Sequence, residues 1–222
     1  MSEPRIVEVR RNILKENDAV ARRLRERFQT YGVQVVSLVS SPGAGKTTIL
    51  ERLLTDISPH HRVAALVGDL ATENDAARLA RSGSPVKQIT TGTVCHLDAS
   101  MIERALSDWD LSHLDQLFIE NVGNLVCPSS FDLGEDLRLV LLSTTEGEDK
   151  PLKYPTIFNT ADVAVVTKID LAEFVGFDRD LMLRNIQAVR PNMPVFEVSA
   201  RTGQGLEALN DLFVRRRIAQ SA

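Results

Sequence analysis

The chain has 222 residues, 43% of them hydrophobic and 25% charged, with a net charge of −4 and two cysteines. That length suits one sizeable domain with its own core, and the mildly acidic balance gives no general attraction to nucleic acid or anionic membrane. No apolar run approaches the roughly 18 residues of a spanning helix, charges break up the N-terminus where a secretory signal would be apolar, and two cysteines build no disulfide framework, so a cytoplasmic protein with reduced thiols, and neither a nucleic-acid nor a membrane partner, is expected.

Residues 5–30 read as one helix, because Ile6, Val9, Ile13, Leu14, Val20, Leu24 and Phe28 recur at helical spacing among charges. Arg22, Arg23, Arg25 and Arg27 crowd its later half; they read as a solvated face and a basic end suited to the helix dipole. After Tyr31-Gly32 the pattern changes to alternating strand and helix. "VQVVSLVS" (33–40) is a β-branched, nearly continuous apolar run of the kind found in buried parallel strands. A helix is expected from Lys46 to Ile57, then strands at 62–69, 86–91, 114–121, 137–144, 161–168 and 193–200, and a closing helix at 203–219. The alternation predicts an α/β fold, a mainly parallel sheet with helices on both faces. Together with the phosphate-loop motif that follows the first strand, it gives the three-layer P-loop NTPase fold as the expected class. Residues 1–32 are expected to form a helical extension packing on the domain, with 33–222 the P-loop domain itself.

"SSPGAGKTT" follows the first strand. It matches G-x-x-x-x-G-K-[ST] at Gly45, Lys46 and Thr47, with Ser40 in place of the first glycine. Backbone N–H groups of Gly43, Ala44, Gly45, Lys46, Thr47 and Thr48 are expected to cradle phosphate at a helix N-terminus. Lys46 would reach the β- and γ-phosphates and Thr47 would ligate Mg²⁺. The base is read from two strand ends. Thr167-Lys168-Ile169-Asp170 is close to the N/T-K-x-D element, whose carboxylate accepts from N1–H and the exocyclic amine of guanine; adenine offers no such donor pair. Ser199-Ala200-Arg201 would present N–H groups to guanine O6. GTP is the expected nucleotide.

"LFIENVGN" runs a strand into Glu120, with Gly123 in the position of the glycine of D-x-x-G. Glu120 is the expected water-mediated Mg²⁺ contact and Gly123 the γ-phosphate sensor. Asp69 ends the second strand and Asp75 lies in the helix beyond; one of them is expected to orient the attacking water or hold Mg²⁺, and Asp75 equally suits the N-terminal end of the helix dipole. No glutamine follows the D-x-x-G-like element, so slow intrinsic turnover is expected. A small-molecule kinase would use the same phosphate loop but would leave the guanine elements unexplained.

Cys95 and His96 adjoin in "TGTVCHLDAS", and Cys127 lies in "NVGNLVCPSS". In a regular strand, neighbours point to opposite faces and could not share an ion. Gly92 is therefore expected to end the strand and leave the pair in a loop. As ligands, the three supply two thiolates and an imidazole, one short of a closed tetrahedral site; water or a second subunit could complete it. Zn²⁺ suits tetrahedral S/N ligands and Ni²⁺ a more planar set. Read as residues alone, the cysteines are equally compatible with small buried hydrophobes.

"SSPGAGKTT", "GDLATENDA", "CHLDA", "NVGNLVCP" and "TEGEDKPLKYP" together resemble, in order and spacing, the nickel-incorporation GTPases of hydrogenase maturation, the HypB family. The resemblance spans nearly the whole chain. It implies a GTPase that dimerises when GTP is bound and carries Ni²⁺ or Zn²⁺ on Cys95, His96 and Cys127 at the subunit interface. It further implies delivery of nickel to a hydrogenase large-subunit precursor, with a small zinc-containing nickel chaperone as partner. Lys150 and Lys153 are candidate contacts to the partner subunit or its nucleotide. Some members carry an N-terminal C-x-x-C-G-C motif or a histidine-rich tract. This chain begins "MSEPRIVEVRR", without either, so nickel storage by one chain is not expected. The urease-type nickel GTPase is a neighbouring reading, though its C-P-H tripeptide does not occur here.

Overall fold

The computed structural model describes residues 5–69 and 74–220. Among them, β1 (Gln34–Ser40), β2 (Val63–Asp69), β3 (Val86–Thr90), β4 (Gln116–Glu120), β5 (Leu137–Ser143), β6 (Val163–Thr167) and β7 (Val195–Glu197) form one sheet in the order β3-β2-β4-β1-β5-β6-β7. Every pairing is parallel. Strand period two sends successive residues to opposite faces. Val36 and Leu38 of β1 join one cluster with Leu50, Leu53 and Leu54 of α2 (Lys46–Ile57) and Phe213 of α8 (Leu206–Gln220). Val35 faces the other way, toward Leu24 and Phe28 of α1 (Arg5–Tyr31) and Ile102 of α4 (Ala99–Ala105). Val39 and Val140 meet α6 (Pro155–Thr160) and α7 (Arg179–Val189) on that same side. This is the predicted three-layer fold. No helix among the described residues is long and apolar enough to cross a membrane.

α1 stops where Gly32 takes φ 66. Its N–H bonds to Gln29 O and that of Val33 to Phe28 O, the paired closure that a left-handed residue just past a helix permits. Val20, Leu24 and Phe28 are buried as the periodicity predicts, each contributing about 1.5–3 kcal/mol. Two expectations for this helix need correction. Ile13 is 51% exposed, while Asn17 is buried because both ends of its carboxamide are bonded. The arginines lie upstream of the last turn, which has no basic residue. Arg25 instead pairs with Asp132 at 2.7 Å. The side chains of Ile6 and Val9 lie outside the described residues.

β1 sits between β4 and β5, so the chain moves to one side of it for β2–β4 and to the other for β5–β7. The crevice beyond the carboxyl end of such a strand is where parallel sheets bind ligands. The loop that leaves β1 there is residues 41–45.

Candidate nucleotide and metal sites

Gly43 and Gly45 in this loop take φ 75 and 95, the left-handed region that glycine occupies without steric cost. Ser40 is still the last residue of β1, which explains why the missing first glycine does not disturb the loop. Gly45 caps α2 without a side chain, leaving the first-turn N–H groups to face a cleft of about 510 Å³. Lys46, Thr47, Asp69, Asp75, Glu120 and Gly123 all line that cleft. The Lys46 ammonium donates to Ser40 Oγ at 2.9 Å. Burial pushes its pKa down, opposed by the charges of Glu120, Asp75 and Glu146.

Thr47 Oγ1 donates to Glu120 Oε1 at 2.6 Å, and Glu120 Oε2 is buried without a partner. Burial raises this carboxyl to about 7. A buried, half-satisfied carboxylate beside a hydroxyl is costly when empty and well suited to a hydrated Mg²⁺. Asp69 stands at the end of β2 and Asp75 in the first turn of α3 (Asn74–Leu79); residues 70–73 between them lie outside the described residues. The same cleft includes Arg78, which the sequence reading passed over. Its place one helical turn beyond Asp75 was the available signal. It already pairs with Glu51 at 2.7 Å.

A second, largely apolar pocket of about 200 Å³ adjoins the loop, lined by Thr48, Thr167, Lys168, Asp170, Ala200 and Arg201 among others. Lys168 takes φ 58, which carries its ammonium back to Gly43 O at 2.8 Å. Thr167 Oγ1 donates to Ala44 O at 2.6 Å, tying the guanine-type element to the phosphate loop. Ser199 is fully buried and does not line the pocket. It shapes the turn instead, its N–H donating to Gln204 O and its Oγ accepting from Thr202 N–H.

β3 ends at Thr90, and Gly92, at φ 63, turns the chain into a loop before α4. That loop carries Cys95 and His96, and Cys127 opens a 3-10 turn (Cys127–Ser130) beyond β4. The ligating atoms of the three all lie within 4.8 Å of one another. The two Sγ atoms are in contact at 2.9 Å, well beyond the ≈ 2.05 Å of a disulfide. The His96 ring lies on Phe131 with centroids 3.9 Å apart, and its Nδ1 is buried without a partner. Burial lowers the His96 pKa against the pull of Asp98, which favours the neutral, ligating imidazole. Lys150 and Lys153 are engaged within the chain, with Glu146 at 3.5 Å and Asp149 at 2.5 Å.

A family model described as "CobW/HypB/UreG, nucleotide-binding domain" matches residues 34–197. A "Hydrogenase maturation factor HypB" of Rhizobium leguminosarum bv. viciae is 47% identical over 94% of this chain and 70% of its own length. The chain belongs to the HypB family. A HypB from Helicobacter hepaticus, named a hydrogenase/urease maturation factor, is 44% identical over 97% of this chain and 89% of its own. The crystal structure of HypB from Helicobacter pylori in complex with nickel superposes with a TM-score of 0.87 at 42% identity. That superposition covers 92% of this chain and 96% of the Helicobacter pylori chain. The HypB resemblance drawn from the motifs and the three-layer P-loop fold drawn from strand–helix alternation and the phosphate-loop motif both hold.

Proposed function

We propose that the chain is a GTP-hydrolysing metallochaperone that holds nickel on Cys95, His96 and Cys127 and passes it to a hydrogenase precursor. One observation carries the reading. A phosphate-type cleft and a Cys/His cluster lie at opposite ends of the segment running from Glu120 to Cys127. Lys46 and the first-turn N–H groups of α2 bind the phosphates. Asp170, with the N–H groups of Ala200 and Arg201, reads guanine. Thr47, Glu120 and Asp69 would hold Mg²⁺, which when bound neutralises charge on the phosphate oxygens. Asp69 or Asp75 orients the attacking water, and with no positioning glutamine hydrolysis is slow.

Three donors leave a tetrahedral or planar metal incomplete, and a second copy across a two-fold axis supplies more. GTP favours that dimer. Gly123 packs against Pro42 of the phosphate loop, so an added Cβ would come within 3.0 Å of it. A γ-phosphate that displaces Gly123 therefore also displaces Cys127 and changes the metal's surroundings. A small zinc-containing nickel chaperone loads or receives the metal, and the setting is the cytoplasm, where thiols stay reduced. The Helicobacter hepaticus relative, a hydrogenase/urease maturation factor, favours a second client, a urease precursor, through the same metal site.

The test is a nickel titration with Mg²⁺ present, first with GDP and then with a non-hydrolysable GTP analogue, recording molecular mass alongside. The expected result is a nucleotide-dependent nickel affinity and a shift toward dimer, both lost in Cys127→Ala. Equal weak affinity in both states, indifferent to Cys95→Ala and Cys127→Ala, refutes it. Hydrolysis that survives Lys46→Ala refutes the assigned phosphate site.

A further inference from the structure

The two arms that carry the metal-site residues are anchored differently. Asn121 follows Glu120 directly and is 2% exposed. Its N–H extends the sheet by donating to Leu38 O at 3.0 Å. Its Oδ1 accepts from Val122 N–H at 2.9 Å and, across the fold, from Leu97 N–H at 3.0 Å. Leu97 is the residue after His96 and is fully buried. Its side chain occupies the space above Gly68 of β2, where an added Cβ would lie 2.7 Å away. The Cys95–His96 arm is thus fastened to the ends of two central strands. The Cys127 arm leaves β4 through Gly123, which rests on Pro42, and its backbone bond at Cys127 N–H goes to Asn124 Oδ1 at 3.4 Å. It meets the other arm through side chains, Cys127 Sγ on Cys95 Sγ and Phe131 on the His96 ring.

We propose that Asn121 is a positioning residue for the metal site. Its carboxamide pins Cys95 and His96 to the sheet, so movement of Gly123 shifts Cys127 against two stationary ligands. This inference rests on the metallochaperone reading above and specifies how nucleotide state reaches the metal. If all three ligands moved together, the site would keep its geometry and its affinity in both nucleotide states. A ligand that changes affinity must do so differentially. One fixed arm and one movable arm convert a displacement at Gly123 into a change of coordination. Either N–H would lose its acceptor if the carboxamide were removed, and Leu97, buried on Gly68, would have no other polar group supplied by Asn121 to hold it in register.

The experiment uses the full chain at saturating nucleotide, so that a change in nucleotide affinity does not enter. Nickel affinity and the thiolate-to-nickel charge-transfer absorbance are measured with GDP and with a non-hydrolysable GTP analogue, in wild type, Asn121→Ala, Asn121→Asp and Leu97→Ala. Wild type should show an affinity ratio between the states in the range of about 5–150-fold. Asn121→Ala should bring it below about threefold and make the two spectra alike. Asn121→Asp keeps an acceptor oxygen and should restore most of the ratio. Leu97→Ala loosens the same arm without touching the carboxamide and should also reduce it, which keeps the test decisive if Asn121→Ala does not fold. A wild-type ratio that survives both Asn121→Ala and Leu97→Ala overturns the role of Asn121 and leaves the switch standing. A wild type that binds nickel equally in both states overturns this proposal together with the switch. A wild type that binds neither nickel nor guanine nucleotide overturns the functional reading itself.

Discussion

Replacing Glu120 with glutamine should stabilise the nucleotide-free protein at pH 8 and weaken its Mg²⁺-dependent nucleotide binding. The carboxylate is 3% exposed, one oxygen bonds Thr47, and the other has no partner. Burial lifts its pKa from 4.5 to about 7. The folded state therefore holds this proton in a window where the unfolded chain has released it. The stability linked to that proton is fully present below pH 4.5 and is lost as pH rises through about 7. At about 1.36 kcal/mol per unit the loss is roughly 3 kcal/mol by pH 8. Glutamine can accept from Thr47 and never ionises, so Glu120→Gln should recover up to about 3 kcal/mol at pH 8 and little of it at pH 5. Removing the charge opposite Lys46 trims the gain. Urea unfolding of both proteins at the two pH values, with and without Mg²⁺ and GDP, measures each term. A variant less stable than wild type at pH 8, or one whose gain is the same at pH 5, refutes the reasoning. A gain at pH 8 with undiminished Mg²⁺-linked stabilisation refutes the Mg²⁺ assignment alone.

Asp170→Asn should exchange guanine for xanthine preference, because the amide offers N–H where the base changes from donor to acceptor; competition between GDP and XDP reads it, and unchanged preference sinks the guanine assignment. Gly205→Ala forces a Cβ onto Glu197 O at φ +74 and should cost roughly 3–5 kcal/mol in urea unfolding. GDP affinity should fall too, since the 199–204 turn beside the base pocket rests on that glycine; a neutral substitution contradicts the packing. Asn17→Ala leaves Ala99 N–H and Asp132 O without the partners they have at 2.9 Å. It should cost about 2–4 kcal/mol, and a loss below about 0.5 kcal/mol would show that water replaces the carboxamide.

The strands and the phosphate loop are legible because they depend on local pattern. "VQVVSLVS" is apolar on both faces because both faces are covered, and the Gly43 and Gly45 positions announce their left-handed backbone. The Cys95, His96 and Cys127 cluster is legible only in part. Loop placement follows from Gly92, but convergence of residues 32 positions apart depends on β3 and β4 lying on either side of β2. Spacing does not encode that neighbour relation, so the family resemblance supplied it. Polar residues inside a helix or just past a strand are the least legible. Asn17 looks like part of a solvated "KEND" run, and Asn121 like a polar strand end open to solvent, yet both are buried. Their partners lie 82, 115 and 24 positions away. Ser199 misleads in the opposite sense: its motif suggests a contact with the base, while its burial gives it to the turn.

The family model begins at residue 34, yet the helix before it bears on the loops that carry the Cys/His cluster. Asn17 of α1 accepts from the N–H of Ala99, three residues past His96, and donates to the carbonyl of Asp132, five residues past Cys127. Arg25 holds the Asp132 carboxylate, whose Oδ1 in turn accepts from Gly134 N–H. One side chain of α1 therefore spans the loops on either side of the Cys/His cluster, just outside the residues that would hold the metal. A bridge at that distance does not fix the coordination distances. It limits how far the two loops can separate, so that a displacement at Gly123 is taken up between them. In the proposed switch α1 would be the frame against which a small displacement at Gly123 becomes a change at the Cys/His cluster and is not dissipated as loop opening. Loosening the bridge in Asn17→Ala should therefore reduce the difference in nickel affinity between the GDP and GTP-analogue states, and an unchanged difference refutes the framing role.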